Sequence, residues 1–282
     1  MNRNILQNLI PRTEFFLQSV FFSQRECPHC GSDHLNTLAR KHLFIQVKQC
    51  LECSLCFTSP IYRSWFTRNI YGVFYEGGEV TRLPAPSELE RLRDTNFKER
   101  GKDSQWFLEP MAKICAAGGK RLLEIGSAWG YFLYQAKKHG FEATGIEINA
   151  KLASFGKEKL GVTIVPSFGE LKGAQFDVIV LVHSLEHFTD LSRVFLDLRD
   201  HLKPGGHLFI AVPHFDWHRF GDKNLSVIGA VHPLGFNPEF FTRNMPRYKF
   251  SIQGFYSSAA DFPHAPCQVL TQEGILVLAR RD

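Results

Sequence analysis

The 282-residue chain carries seven cysteines, and five of them fall within thirty residues: Cys27, Cys30, Cys50, Cys53 and Cys56. Cys27-x2-Cys30 and Cys50-x2-Cys53 are separated by nineteen residues. That is the spacing of two short knuckles, each offering two thiolates to one tetrahedral Zn²⁺. Cys27-Pro28-His29-Cys30-Gly31 begins rigidly and ends on a glycine suited to a knuckle turn. Cys53-x2-Cys56 is also correctly spaced, so Cys56 competes for a place in the set. Leu55–Phe57 reads as the apolar strand leaving the second knuckle, which favours Cys50 and Cys53. His29, His34 and His42 are weaker ligand candidates. A four-sulfur site has no open position, so the zinc expected here is structural.

A second constellation is Leu122-Leu123-Glu124-Ile125-Gly126-Ser127-Ala128-Trp129-Gly130, at a strand-to-helix junction. Small residues at 126, 128 and 130 let a ligand approach the backbone. The amides of the bend and of the helix start beyond it are expected to lie open to an anionic group. A phosphate-cradling loop would need Gly-Lys-Ser/Thr after the strand, and Lys120 comes before it. A dinucleotide fingerprint would put its third glycine at Tyr131. A third set is histidine, the natural base near neutrality. His183, His187, His214 and His232 fall where two strands and a long segment, Phe215–Phe241, should converge. Long ordered segments are usually functional, so 215–241 reads as wall and lid, with a helical insertion packed on the sheet as the alternative.

The elements that position these groups alternate. Strands are expected at Arg121–Ile125, Glu142–Ile148, Val162–Val165, Phe176–Leu181 and His207–Val212. Helices are expected at Gly130–His139, Ala150–Leu160 and Leu191–Leu202, the last stopped by Lys203-Pro204-Gly205-Gly206. This order implies a parallel sheet covered on both faces. Lys249–Tyr256 and Gly274–Ala279 read as a final antiparallel pair. Upstream, Ser87 is expected to cap a helix over Glu88–Arg100, and a second helix over Ser104–Ala116 ends at Gly118-Gly119.

Glu124-x-Gly126-x-Ala128-x-Gly130 resembles the first motif of the class I S-adenosylmethionine-dependent methyltransferases, with Ala128 where glycine is usual. The resemblance runs from Arg121 to the end of the chain. Glu147, in Gly145-Ile146-Glu147-Ile148-Asn149, matches the acidic residue that holds the cofactor's ribose hydroxyls. Phe176-Asp177-Val178-Ile179-Val180, His183-Ser184-Leu185-Glu186-His187 and Leu202-Lys203-Pro204-Gly205-Gly206 are similar to later motifs, in the family's order. The implied fold is α/β, a Rossmann-like sheet of seven strands with the last one antiparallel, preceded by a small zinc-ribbon-like module. The implied cofactor-binding residues are Glu124, Gly126, Ser127, Ala128, Gly130, Glu147, Ile148 and His183, with Glu124 orienting the loop and the cofactor's amino group. His232-Pro233-Leu234-Gly235-Phe236 resembles an element covering the methyl acceptor, so His183, His187, His214 and His232 are the candidate bases.

The cysteine segment, followed by Phe57-Thr58-Ser59-Pro60, resembles the zinc modules fused to small-molecule methyltransferases, several acting on sugars or secondary metabolites; Ser54 stands where glycine is usual. The expected activity is therefore methyl transfer to oxygen or carbon of such a molecule. Two other functions compete: an RNA methyltransferase gripping nucleic acid through the module, and a non-catalytic cofactor-binding scaffold. Arg25, Arg40, Lys41 and Lys48 in the module face Glu26, Asp33 and Glu52, a near-neutral balance that disfavours phosphate-driven binding.

Apolar residues are 44% and charged residues 22%, which excludes a wholly disordered or collagen-like chain. No apolar run approaches the roughly 18 residues of a membrane span. The net charge of +5 is mild. Pro11, Arg12 and Glu14 interrupt the first apolar stretch, which does not read as an export signal, and thiols of this kind favour the cytoplasm. Ile5–Phe22 reads as an amphipathic helix packing on the body or on a second copy, a homodimer. The expected organisation is an N-terminal helix over 1–23, the zinc module over 24–61, a helical linker or lid over 62–117 and the methyltransferase domain over 118–282.

Overall fold

Phe176–Val182 is buried along its first six residues, the pattern of a strand covered on both faces, and it lies at the centre of the molecule. The structure, a computed structural model, describes residues 24–41, 45–61, 81–98, 102–115, 120–229, 232–257, 270–271 and 274–282. The expected helix over Ile5–Phe22, the Gly118-Gly119 stop and the segment 62–80 lie outside them, as do His42 and Cys267.

The strands are β1 (Leu35–Lys41), β2 (Ile45–Cys50), β3 (Cys56–Ser59), β4 (Arg121–Ile125), β5 (Glu142–Ile146), β6 (Thr163–Val165), β7 (Phe176–Val182), β8 (Leu202–Val212), β9 (Leu234–Gly235), β10 (Phe250–Tyr256) and β11 (Ile275–Arg281). The helices are α1 (Pro86–Asp94), α2 (Gln105–Ile114), α3 (Tyr131–Lys138), α4 (Ala150–Phe155), α5 (Leu191–His201), α6 (Trp217–Phe220) and α7 (Pro238–Asn244).

Seven strands form one sheet in the order β10-β11-β8-β7-β4-β5-β6. β6, β5, β4, β7 and β8 run parallel, and β11 is antiparallel to both of its neighbours. This is the Rossmann-like α/β sheet expected from the sequence, last strand reversed. Alternation along β4 and β7 divides the core. Leu122, Val178 and Val180 pack with Phe107, Leu108 and Met111 of α2 and Phe132 and Leu133 of α3. Leu123, Ile125, Ile179 and Leu181 pack with Leu191, Val194, Phe195 and Leu198 of α5. Among the described residues no helix is long and apolar enough to cross a membrane.

Several boundaries move from their expected places for local reasons. The α1 helix starts at Pro86 rather than at Glu88, with Ala85 and not Ser87 at its cap; proline suits a first turn whose N–H has no partner. It stops at Asp94 because Asn96 and Phe97 take left-handed φ values of 51° and 67°. Lys203–Gly206 is not a separate turn. Phe176 pairs with Leu202 and Val178 with His207, so the four residues bulge out of a continuous β8. Residues 215–241, expected as a long loop, hold α6, a short 3₁₀ turn, β9 and the start of α7. The Asp216 carboxylate accepts the Arg219 amide, and the Asn237 side chain accepts the Phe240 amide just before Pro238. Both are helix-start signals legible in the sequence.

A second sheet, β1-β2-β3-β9, is antiparallel throughout. Its first three strands come from the cysteine segment. Its fourth, Leu234–Gly235, comes from beyond the seven-stranded sheet's fifth parallel strand.

Candidate functional site

The bend after β4 is built on two left-handed residues, Gly126 at φ 78° and Ala128 at φ 46°, and Gly130 begins α3 at φ 80°. A Cβ on Gly126 would lie 2.9 Å from the Ser184 Cβ, so only glycine lets the bend meet the end of β7. The amides were expected to lie open. Instead the Gly126 and Ser127 amides both donate to the Ile146 carbonyl, at 2.9 and 3.0 Å, and the Ala128 amide donates to Glu147 Oε2 at 2.9 Å. The left-handed turns curl the backbone onto β5 and spend those donors inside the protein. Ser127 is buried and directed at the same strand, its Oγ 3.5 Å from the Ile146 carbonyl.

What the bend does leave open is acidic. Glu124 is buried, and its Oε2 has no hydrogen-bond partner. Burial, and then the neighbouring Glu147 charge, push its carboxyl well above the usual carboxylate range. Glu147 is half-buried; its Oε1 accepts the Asn149 amide at 2.7 Å. Burial pushes its carboxyl up, against the pull of the Asn149 and Ala128 amides. The next residue, Ile148, is 70% exposed. Ser184 Oγ is buried and unpartnered beside Gly126. These groups fit S-adenosylmethionine: an orphaned carboxylate for an ammonium, a second with lone pairs left for two hydroxyls, and a bare apolar side chain for a flat base.

The four histidines do not form one cluster. His187 and His232 meet, with ring centroids 4.7 Å apart. His183, at φ 48°, turns its Nδ1 to within 3.5 Å of Glu186 Oε1, and that carboxylate raises the imidazole pKa. His214 stands apart, buried against the Phe220 ring. Its Nδ1 lies 2.6 Å from the Thr271 carbonyl, which fixes the proton there and leaves Nε2 the acceptor, buried and unpartnered. Burial lowers its pKa. Glu186, which with His187 resembles a Glu-His pair common in the family but is not among the candidate site residues, brings a buried carboxylate oxygen within 4.8 Å of ring nitrogens of His187 and His232 and 3.5 Å from His183.

Cys27, Cys30, Cys50 and Cys53 bring their sulfurs within 4.8 Å of one another. The Cys27–Cys53 and Cys30–Cys50 sulfur distances are both 3.5 Å, close to the ~3.8 Å edge of a tetrahedron with ~2.3 Å zinc–sulfur bonds. The Cys27–Cys53 contact pulls the Cys27 pKa down and pushes that of Cys53 up, so the first proton leaves the pair from Cys27. The donor set therefore fits Zn²⁺. Cys56 is not among the four; it is buried on β3 with Val47, Phe215 and Ile228. Of the weaker candidates, His29 packs on Phe240 and His34 pairs with Glu52. Ser54 adopts φ 63°, which accounts for glycine being usual at that place.

The module is tied to the segment that follows β8. Cys56 and Phe57 pair with Gly235 and Leu234, and the Thr58 amide donates to the Pro233 carbonyl at 2.8 Å. Asn244 Nδ2 donates to the Cys53 carbonyl at 2.9 Å. Arg243 Nη1 donates to the carbonyls of Leu51 and Glu52. The knuckle thus forms the seat of the His232 segment.

A family model described as a methyltransferase domain matches residues 82–269, two thirds of the chain. The chain is 24% identical over 171 residues to a ubiquinone biosynthesis O-methyltransferase of Ralstonia nicotianae, covering 54% of this chain and 71% of that protein. It is 27% identical over 161 residues to a protein of the same name from a Methylobacterium species, covering 54% and 61%. A third, from Pectobacterium atrosepticum, is 25% identical, and the match spans 58% of its length. Among solved structures, an S-adenosylmethionine-dependent methyltransferase from Clostridium acetobutylicum superposes with a TM-score of 0.51 at 12% identity, covering 68% of this chain and 98% of that one. A TehB-like methyltransferase from Corynebacterium glutamicum gives 0.50 at 16% identity, covering 70% and 100%.

Proposed function

The chain belongs to the class I S-adenosylmethionine-dependent methyltransferases, and on that premise we propose that it methylates a hydroxyl oxygen of a small molecule. One observation carries the cofactor half of this reading: the Glu124 carboxylate, its Oε2 unpartnered, lies beside a second acid, Glu147, at the left-handed bend. Two facing acids suit a cofactor that carries positive charge on both sulfonium and ammonium. Glu124 takes the ammonium, Glu147 accepts the ribose hydroxyl hydrogens through the lone pairs its two amides leave free, and Ile148 covers the base. Gly126 and Gly130 keep the backbone low enough for this approach. When bound, S-adenosylmethionine supplies an electrophilic methyl group.

The acceptor half rests on histidine and on the relatives, which are named as O-methyltransferases. His214 suits the removal of a hydroxyl proton: its Nδ1–H is held by Thr271, its Nε2 lone pair is free, and burial keeps it neutral near pH 7. His183, His187 and His232 bound the acceptor from the end of β7 and the β9 segment. A hydroxylated sugar or secondary metabolite matches this set, because every feature addresses an O–H group and the cysteine module is near neutral.

The test couples two measurements on zinc-loaded protein: calorimetry with S-adenosylmethionine, and mass spectrometry of hydroxylated small molecules incubated with labelled cofactor. Cofactor binding with label appearing on oxygen supports the proposal. Absence of any cofactor heat refutes the site, and label found only on nitrogen, carbon or RNA refutes the acceptor. His214→Gln is expected to lower turnover by about 100-fold while leaving cofactor affinity unchanged.

A further inference from the structure

Glu186 is 1% exposed, and neither of its carboxylate oxygens has a hydrogen-bond partner. A buried carboxylate without partners is costly, and natural proteins keep one where a cation or proton comes to meet it. The described cation candidate nearest to it is His183, with Nδ1 3.5 Å from Oε1, outside good hydrogen-bond geometry. Two further nitrogens converge on the same point. A carboxylate oxygen of Glu186 and one ring nitrogen each of His187 and His232 all lie within 4.8 Å of one another. The two rings are tilted at 60° rather than stacked, so their nitrogens can share a ligand that stacked rings could not.

Separate parts of the fold deliver these ligands. Glu186 and His187 lie on the 3₁₀ turn Leu185–His187 at the end of β7. His232 lies just before β9, held by the Gly229 amide on its own carbonyl and by the Thr58 amide on the next one. The sheet's own edge and the cysteine module's seat thus meet at this spot.

We propose that Glu186, His187 and His232 form a second metal site, for a divalent transition cation of the Zn²⁺ or Fe²⁺ kind. Two imidazoles and one carboxylate suit such ions, and three protein ligands leave coordination positions open. The site differs in kind from the closed four-sulfur cluster. An open cation on the turn that Ser184 begins would take a hydroxyl oxygen of the methyl acceptor as a further ligand and lower its pKa. That role rests on the acceptor reading above; the site itself does not.

Co²⁺ titrated into full-length, zinc-loaded chain tests it by visible absorption. Expected are d–d bands at one equivalent per chain, without the intense thiolate-to-cobalt charge-transfer bands that entry into the cysteine cluster would give. His232→Ala and Glu186→Gln, each checked for an unchanged melting profile, should weaken Co²⁺ by more than about tenfold; His34→Ala should not. Absence of d–d bands in the wild-type chain, thiolate bands alone, or equal affinity in the folded His232→Ala chain overturns the proposal. Calorimetry with S-adenosylmethionine on the same sample separates the readings: cobalt bands without cofactor heat sink the methyl-transfer site and spare the metal site, and the converse spares the cofactor.

Discussion

Glu147 Oε2 accepts the Ala128 amide at 2.9 Å, and through that bond the end of β5 fixes the bend that follows β4. The same carboxylate's Oε1 accepts the Asn149 amide, so one side chain sets both the bend and the start of α4. Glu147→Ala strands two amides as well as removing the proposed ribose acceptor. The expected result is a weakening of S-adenosylmethionine by at least tenfold, about 1.4 kcal/mol, with a fall in melting temperature of several degrees. Glu147→Gln keeps one acceptor and should fall between. Calorimetric affinity unchanged in Glu147→Ala would remove this residue from the cofactor site.

Left-handed backbone separates three small residues that look interchangeable. Gly126→Ala puts a Cβ against Ser184 at φ 78°, and Gly130→Ala puts one 2.6 Å from Val162 Cγ2 at φ 80°. Each should cost about 1–2 kcal/mol from backbone strain alone, more with the contact. Ala128 already carries the strain at φ 46°. Ala128→Gly should therefore be neutral or stabilising, by up to about 1 kcal/mol. Denaturant unfolding of the three variants checks the order.

Removing zinc should damage one half of the site and spare the other. A four-sulfur zinc module folds with its metal, and β3 holds the His232 segment through its pairing with β9. The Gly126 bend is anchored on β5 instead. Cys53→Ser, or chelation, is expected to abolish methyl transfer while S-adenosylmethionine affinity stays within a few-fold. Hydrogen exchange should show residues 232–237 deprotected and 121–130 unchanged. Equal deprotection of both would show that the module serves the whole fold and not the acceptor side.

Glu124 makes stability depend on pH. Its folded pKa lies above the unfolded value near 4.5. Below that value it is protonated in both states and burial costs nothing. As pH rises toward and through the folded pKa, the chain must bury a charge, and stability without ligand falls. Glu124→Gln should remove this decline and raise the melting temperature near pH 8, while weakening S-adenosylmethionine. Cofactor affinity of the parent chain should rise with pH over the same interval, since the ionised carboxylate is the form that holds an ammonium. Parallel melting curves for the two proteins from pH 5 to 8 would exclude a buried charge at this position.

Much of this was legible in order along the chain. The apolar runs Arg121–Ile125 and Phe176–Leu181, the small residues at 126, 128 and 130, the acid at 147 and the Cys-x2-Cys pairs report local geometry, and local geometry is what residue type controls. The Asp216 and Asn237-Pro238 helix starts are equally local, and they favour the helical alternative for 215–241 over the loop.

Other features depend on contacts between residues far apart in the chain, and no spacing encodes those. That the bend's amides are consumed by Ile146 and Glu147 follows from β4 and β5 lying side by side. Cys56 is excluded from the four sulfurs because β3 turns it toward Phe215. The pairing of His187 with His232 over a buried Glu186 needs β9 to join the cysteine module's sheet, a two-residue ladder whose partners are about 180 positions apart. The sequence by itself determined the elements, the chemical types available and their order, because propensity, periodicity and turn chemistry act within a few residues. Only the tertiary structure decided which donors remained free and which side chains met, because those are set by how the sheet edges pair.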